Sequence, residues 1–193
     1  MIKKEIIKKT LLKKKKKKWV SVYASSMFNN VDIVEKLVVE APEAIGKVLK
    51  VNLADLTQDI KKQNILLTFS ASRLQDQRVV CDVTGYELSP SYVKRVIKRA
   101  KSKIEDSFLC STKDEVKVRA KPVILTRSKA KGSILTLLRH KSREYFISNI
   151  KKQSYDEILS SIISHNLQKG LKDELKKIYP VSLTELRIFK KEL

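Results

Sequence analysis

Six cations crowd one short stretch: Lys94, Arg95, Lys98, Arg99, Lys101 and Lys103 fall within ten residues, and Glu105 comes only after them. A solvated amphipathic helix usually carries acidic partners at i,i+4 for such cations, and here they are missing. Unpaired ammonium and guanidinium groups at this density are suited to neutralising phosphates. Three more clusters repeat the pattern. Lys13, Lys14, Lys15, Lys16, Lys17 and Lys18 form an unbroken run. Arg127, Lys129 and Lys131 punctuate a small-residue loop whose backbone also offers N–H donors. Arg139, Lys141 and Arg143 make the last cluster. All of these except Lys103 are the candidate phosphate-contact residues. The lysine run alone admits three readings: a nuclear localisation signal, a membrane-surface patch or a nucleic-acid arm. A membrane patch calls for a lipidation site or an amphipathic helix with aromatics beside it, and neither is evident.

Other chemistries find little to build on. Cys81, Cys110, His140 and His165 are widely scattered, whereas zinc needs about four ligands at motif spacing. No metal and no cofactor are therefore expected. Both cysteines read as small buried apolar side chains. His140 reads as a polar surface residue. A phosphate-cradling glycine motif, HExxH, GxSxG and paired cysteines are all missing, and Gly occurs only four times. Asp55, Asp59 and Asp114 fall in turn-like segments. No enzyme is expected, and no small-molecule substrate. A nuclease assembled from scattered carboxylates is the catalytic rival.

Composition agrees. The 193 residues carry 42 Lys plus Arg against 21 Asp plus Glu, a net +21, with 42% hydrophobic residues to supply a core. The charge is segregated. Residues 1–18 are net +9, residues 19–88 net −2 and residues 89–193 net +14. Segregation of this kind describes a surface built for a polyanion. Two cysteines make no disulfide framework, no apolar run reaches a membrane span, and the basic N-terminus lacks the apolar stretch of a secretory signal. A cytoplasmic, reduced setting is expected.

The elements that must position these cations are short. Residues 19–24, 33–39, 46–53, 65–69 and 78–83 have strand composition, with polar turns over residues 54–60 and 73–77. Close spacing of short strands predicts a meander or small barrel. Ser89 and Pro90 start a helix predicted over residues 89–106, its apolar stripe being Val93, Val96, Ile97, Ala100 and Ile104. Val116, Val118 and Ala120 alternate with Lys117, Arg119 and Lys121, so a strand with one basic face follows, broken at Pro122. Helices are predicted over 134–152, after the capping box at Ser154–Glu157, and around Leu171–Ile178. A closing strand is predicted over 183–189. The division reads as a basic extension at 1–18, a β-rich part at 19–130 and a mainly helical part at 131–193.

Several blocks stand out: Trp19 with Ser26-Met27-Phe28-Asn29, Gly46 through Leu56 (GKVLKVNLADL), the basic helix from Ser89, Ile124-Leu125-Thr126-Arg127, and Ile178-Tyr179-Pro180. Together they resemble the S-one-e (S-three-a-e) family of small-subunit ribosomal proteins of archaea and eukaryotes. They come in the family's order and cover about residues 19–193, with NLADL the most specific. The resemblance implies an α+β fold, a central β-barrel-like domain with packed basic helices; the basic arm, by its composition, is expected to be disordered when free. It implies a structural constituent of the small ribosomal subunit, a ribonucleoprotein serving translation. Its partners would be small-subunit ribosomal RNA and neighbouring ribosomal proteins, on the platform near the messenger exit. The chain stops at Leu193 without the long basic tail of eukaryotic members, so an archaeal-type source is expected. A free-standing nucleic-acid-binding module outside the ribosome is the alternative.

Overall fold

The computed structural model describes residues 17–28, 31–39, 41–75 and 78–192. Lys13 to Lys16, and the expectation of a free-state disordered arm, lie outside these.

The alternating and β-branched runs become nine strands of one mixed sheet among the described residues. They are β1 (Lys18–Ala24), β2 (Asp32–Val38), β3 (Val48–Asn52), β4 (Ile65–Gln75), β5 (Arg78–Leu88), β6 (Lys103–Glu105), β7 (Phe108–Ser111), β8 (Lys117–Thr126) and β9 (Val181–Lys191). Strand β5 is the hub. Along one edge it pairs antiparallel with β4, which in turn pairs with β3. Along its other edge the first half pairs parallel with β1, Val22 opposite Val79, and the second half pairs antiparallel with β9. The hairpin partner of β1 is β2. Beyond β9 comes β8, which carries β6 and β7 on its far side.

The fold is therefore α+β, but the sheet stays open. Among the described residues the sheet ends at β3 beyond β4, at β2 beyond β1, and at β6 and β7 beyond β8, so the barrel-like closure expected from strand spacing does not occur. Spacing along the chain reports hairpins. It does not report that β5 would divide its second edge between β1 and β9. Gly85 sits at that division, and a Cβ there would come within 3.3 Å of Lys190 Cβ and 3.5 Å of Thr68 Cβ. The residue without a side chain lets three strands meet. Pro122 does not break β8. It occupies a register shift, where its missing N–H is tolerated.

The NLADL block forms the short helix α1 (Leu53–Thr57) instead of a turn. Asn52 caps it, its Oδ1 accepting from Ala54 N at 3.0 Å while its Nδ2 donates to Gln63 O at 2.9 Å. Leu53 and Leu56 are buried. Helix α2 covers Pro90–Val96, α3 Gly132–Ile150, α4 Tyr155–Ile163 and α5 Asn166–Lys176. The predicted capping box starts α4: Ser154 Oγ accepts from Glu157 N, and Glu157 Oε2 accepts from Ser154 N at 2.9 Å.

Helix α5 packs on β9, while α3 meets α5, β6 and β7. Leu138, Phe146 and Ile150 of α3, Ile158 and Ile162 of α4, and Leu171 and Leu175 of α5 join one buried cluster with Phe189 and Leu186 of β9. The Tyr155 ring stacks on Phe189 at 5.5 Å. No helix among the described residues is long and apolar enough to cross a membrane.

Candidate nucleic-acid interface

The loop carrying Arg127, Lys129 and Lys131 is tied down. It leaves β8 at Thr126, which is fully buried. Thr126 Oγ1 accepts from Ser102 N at 3.0 Å and lies 2.6 Å from Ser128 O, while Thr126 N donates to Ser102 O at 3.0 Å. Arg127 N donates to Pro180 O at 2.9 Å and Ala130 N to Ser102 Oγ at 3.1 Å. Tyr179 OH donates to Lys129 O at 3.1 Å and sits 2.9 Å from Ser128 Oγ. The backbone is held from both sides, while Arg127, Lys129 and Lys131 are exposed and have no acidic partner among the described residues.

That loop runs straight into α3. Lys131 is the N-cap residue and supplies no side-chain cap; Gly132 and Ser133 are exposed. The first-turn N–H groups of a 19-residue helix are thus open beside three cations. Their partial positive charge adds to the formal charges, which favours an anion there.

Ser102 brings a second basic segment to the same place. The helix expected over 89–106 stops at Val96, and Ile97 is extended. Ile104 then joins β6 opposite Ile124 and is 1% exposed. A helix would have left Ile104 on a half-wet stripe; the strand buries it, and burial wins over periodicity. Lys94 and Arg95 therefore close α2, Arg95 lying 5.6 Å from the Tyr92 ring centroid. Lys98 and Arg99 stand exposed on the connecting segment. Lys101 is partly buried and donates to Ser182 Oγ at 2.7 Å.

The third cluster divides. Arg139 is exposed on α3 and makes no side-chain ion pair among the described residues. Lys141 pairs with Glu144 at 2.9 Å. Arg143 grips Asp106 with two bonds, Nε to Oδ2 at 2.9 Å and Nη2 to Oδ1 at 2.7 Å, and stands over Phe108 at 5.8 Å. Its guanidinium is already occupied. From the lysine run, Lys17 is exposed and Lys18 opens β1.

Some cations were left out of the candidate set. Lys190 of β9 lies opposite Arg119 of β8, on the face that also carries Lys117 and Lys121. The alternation in β8 announced its basic face, but the addition from β9 depends on register. Arg119 itself pairs with Glu192. His140 is exposed on α3 between Arg139 and Lys141, while His165 lies at the junction of α4 with α5. Among the described residues no group of three or more His, Cys, Asp or Glu is placed to hold a metal ion. Cys81 is buried, and burial pushes the Cys110 thiol up to about 11, far from a reactive thiolate.

The profile of the Ribosomal S3Ae family matches residues 6–192. The chain belongs to that family. Curated members include the small ribosomal subunit protein eS1 of Nanoarchaeum equitans, 28% identical over 91% of this chain and 88% of its own length. The protein of the same name from Staphylothermus marinus is 29% identical over 89% of this chain and 81% of its own. That from Halorubrum lacusprofundi is 26% identical over 90% and 81%. The family match runs through the basic segments and through the NLADL block, which the structure makes a capped helix anchored by buried Leu53 and Leu56.

Proposed function

We propose that the chain is a structural, non-catalytic constituent of the small ribosomal subunit in the cytoplasm, and that it binds ribosomal RNA through sugar–phosphate contacts. Its family and the names of its relatives support the first part. The second part rests chiefly on one observation: the Arg127–Lys131 loop is held rigid against Ser102 and Tyr179 while its cations and the α3 N-terminus stay open. Pre-ordered cations lose little side-chain and loop entropy on binding, and phosphates are the anions that such a spaced array fits. Lys98 and Arg99 extend the same surface. Neighbouring ribosomal proteins are the further partners, and the platform near the messenger exit is the place the family resemblance suggests. The extension at 1–18 would add affinity without sequence choice.

The test replaces Arg127, Lys129 and Lys131 together with Gln and measures binding to small-subunit ribosomal RNA over a salt series. Three lost phosphate contacts lower the slope of log affinity against log salt by roughly 2–3, at about 0.7–0.9 per contact. An unchanged slope removes this loop from the interface. Sedimentation of the wild type with small subunits after a high-salt wash separates a ribosomal protein from a free-standing nucleic-acid module.

A further inference from the structure

A cleft of about 350 Å3 opens between α2, the junction of α4 with α5, and β9. It is at the small end of the roughly 300–1,000 Å3 typical of ligand sites. Its lining includes Tyr92, His165, Gln168, Lys169, Lys172 and Glu185. A smaller recess beside it shares Tyr92, His165 and Glu185 and adds Lys61.

The polar groups are layered. Acceptors lie deep: Glu185 Oε2 and Gln168 Oε1 are both buried, and Gln168 Oε1 accepts no hydrogen bond among the described residues. Gln168 is 3% exposed, and its amide is oriented because Nε2 donates to Ile162 O at 3.1 Å. His165 Nδ1 lies 3.5 Å from Glu185 Oε2, the outer limit of a hydrogen bond. A buried acceptor left unpaired is costly, so this floor is incomplete as it stands. The aromatic Tyr92 forms a wall. Cations make the rim: Lys61, Lys169 and Lys172 have no acidic partner among the described residues.

A ligand for this site must offer N–H donors at one end, a flat face in the middle and a negative charge at the other end. A lone cation fits the floor but meets three lysines on the way in. A nucleotide meets all three demands. Among the bases, guanine presents two adjacent donors, N1–H and N2–H, which match the two oxygens of a carboxylate. Adenine and cytosine present a single amino group beside acceptors, and uracil flanks its N–H with two carbonyls that face a carboxylate badly. Unstacked bases held on an aromatic ring and read along the Watson–Crick edge are the usual basis of sequence choice in RNA binding.

We propose that this cleft takes an extruded guanine, its Watson–Crick edge on Glu185, its ring on Tyr92 and its phosphate at Lys169 and Lys172. The proposal rests on the RNA-binding reading above and adds a base to it.

The test uses the full chain and fluorescence anisotropy with labelled single-stranded heptamers. One is all uridine; the others carry a central guanosine, adenosine or cytidine. The guanosine heptamer should bind about tenfold more tightly than the uridine one, in line with a bidentate base contact. Glu185→Gln should erase that preference, so that the guanosine and uridine heptamers bind the variant equally. Lys169→Gln with Lys172→Gln, both on the rim, should weaken all heptamers alike and keep the preference for guanosine. Should Glu185→Gln lose its circular-dichroism signal, the wild-type comparison and the rim variant decide the matter. Equal wild-type affinity for the guanosine and uridine heptamers overturns the guanine site and leaves the RNA-binding reading standing if small-subunit ribosomal RNA still binds. Absence of binding to every heptamer and to that RNA overturns both.

Discussion

Arg139 and Arg143 stand one helical turn apart on α3, yet their surroundings assign them different work. Arg143 is held by Asp106, whose side chain is only 9% exposed. Burial raises the Asp106 carboxyl, but the hydrogen bonds from Arg143 and from Ser107 N and the charge of Arg143 outweigh it and hold it below its ordinary 3.8. That stabilisation is complete above 3.8 and is lost as pH falls through the lower folded-state value. Arg143→Gln should lower stability by roughly 1 kcal/mol, the guanidinium being part-exposed, and leave the RNA salt slope intact. Arg139→Gln should do the opposite. Urea unfolding and salt-dependent binding on both variants check this; a slope change in Arg143→Gln would put its guanidinium back on RNA.

His165 offers a second residue-scale expectation. The Glu185 carboxylate at 3.5 Å raises its pKa above the ordinary 6.5, against burial and the charges of Lys169 and Lys62. The protonated form is therefore favoured by folding. Its contribution is complete below 6.5 and disappears as pH rises through the folded-state value. The wild type should melt at a higher temperature at pH 6 than at pH 8, and His165→Gln should shrink that difference. An equal difference in both proteins would show that this pair carries no linkage.

Among the elements, α5 depends on a close approach to α3. A Cβ added at Gly170 would run into the Tyr145 hydroxyl. Gly170→Ala gains about 1 kcal/mol of helix propensity, so a purely local account expects stabilisation. The clash should outweigh it, because the ring of Tyr145 must turn away from its edge contact with Phe146 at 6.1 Å. The variant should melt lower than wild type, and adding Tyr145→Phe should restore part of the loss. A higher melting temperature for Gly170→Ala alone would mean that α3 and α5 are free to part.

At the scale of the whole molecule, a net +21 acts against compactness. The core must hold against that repulsion, and Leu53, fully buried at the head of α1, is part of it. Leu53→Ala should remove on the order of 2–5 kcal/mol from a total of about 5–15 kcal/mol. RNA that binds only the folded chain raises stability by mass action, so the variant should be poorly folded alone and partly rescued by small-subunit ribosomal RNA. Circular dichroism with and without the RNA measures both effects. Stability unchanged in the free protein would place Leu53 outside the core.

How much was legible in the residues divides along a physical line. Whatever depends on neighbours within a turn or along one strand was open to reading. The capping box at Ser154, the alternation of Val118 and Ala120 with lysines and arginines, and the four basic clusters are of this kind, because their partners lie a few residues away. The charge segregation also belongs to the sequence, since it needs no geometry. Features whose partners lie far along the chain were not. Ile104 left the helical stripe for Ile124, Arg143 was taken up by Asp106 37 residues earlier, and β5 divided one edge between β1 and β9 to leave the sheet open. The cleft gathers Tyr92, His165 and Glu185 from three elements. Composition determined that this chain carries an excess of cations gathered in a few segments. Only tertiary packing, by holding some cations against acids and leaving others in the open, decided which of them are available to a partner.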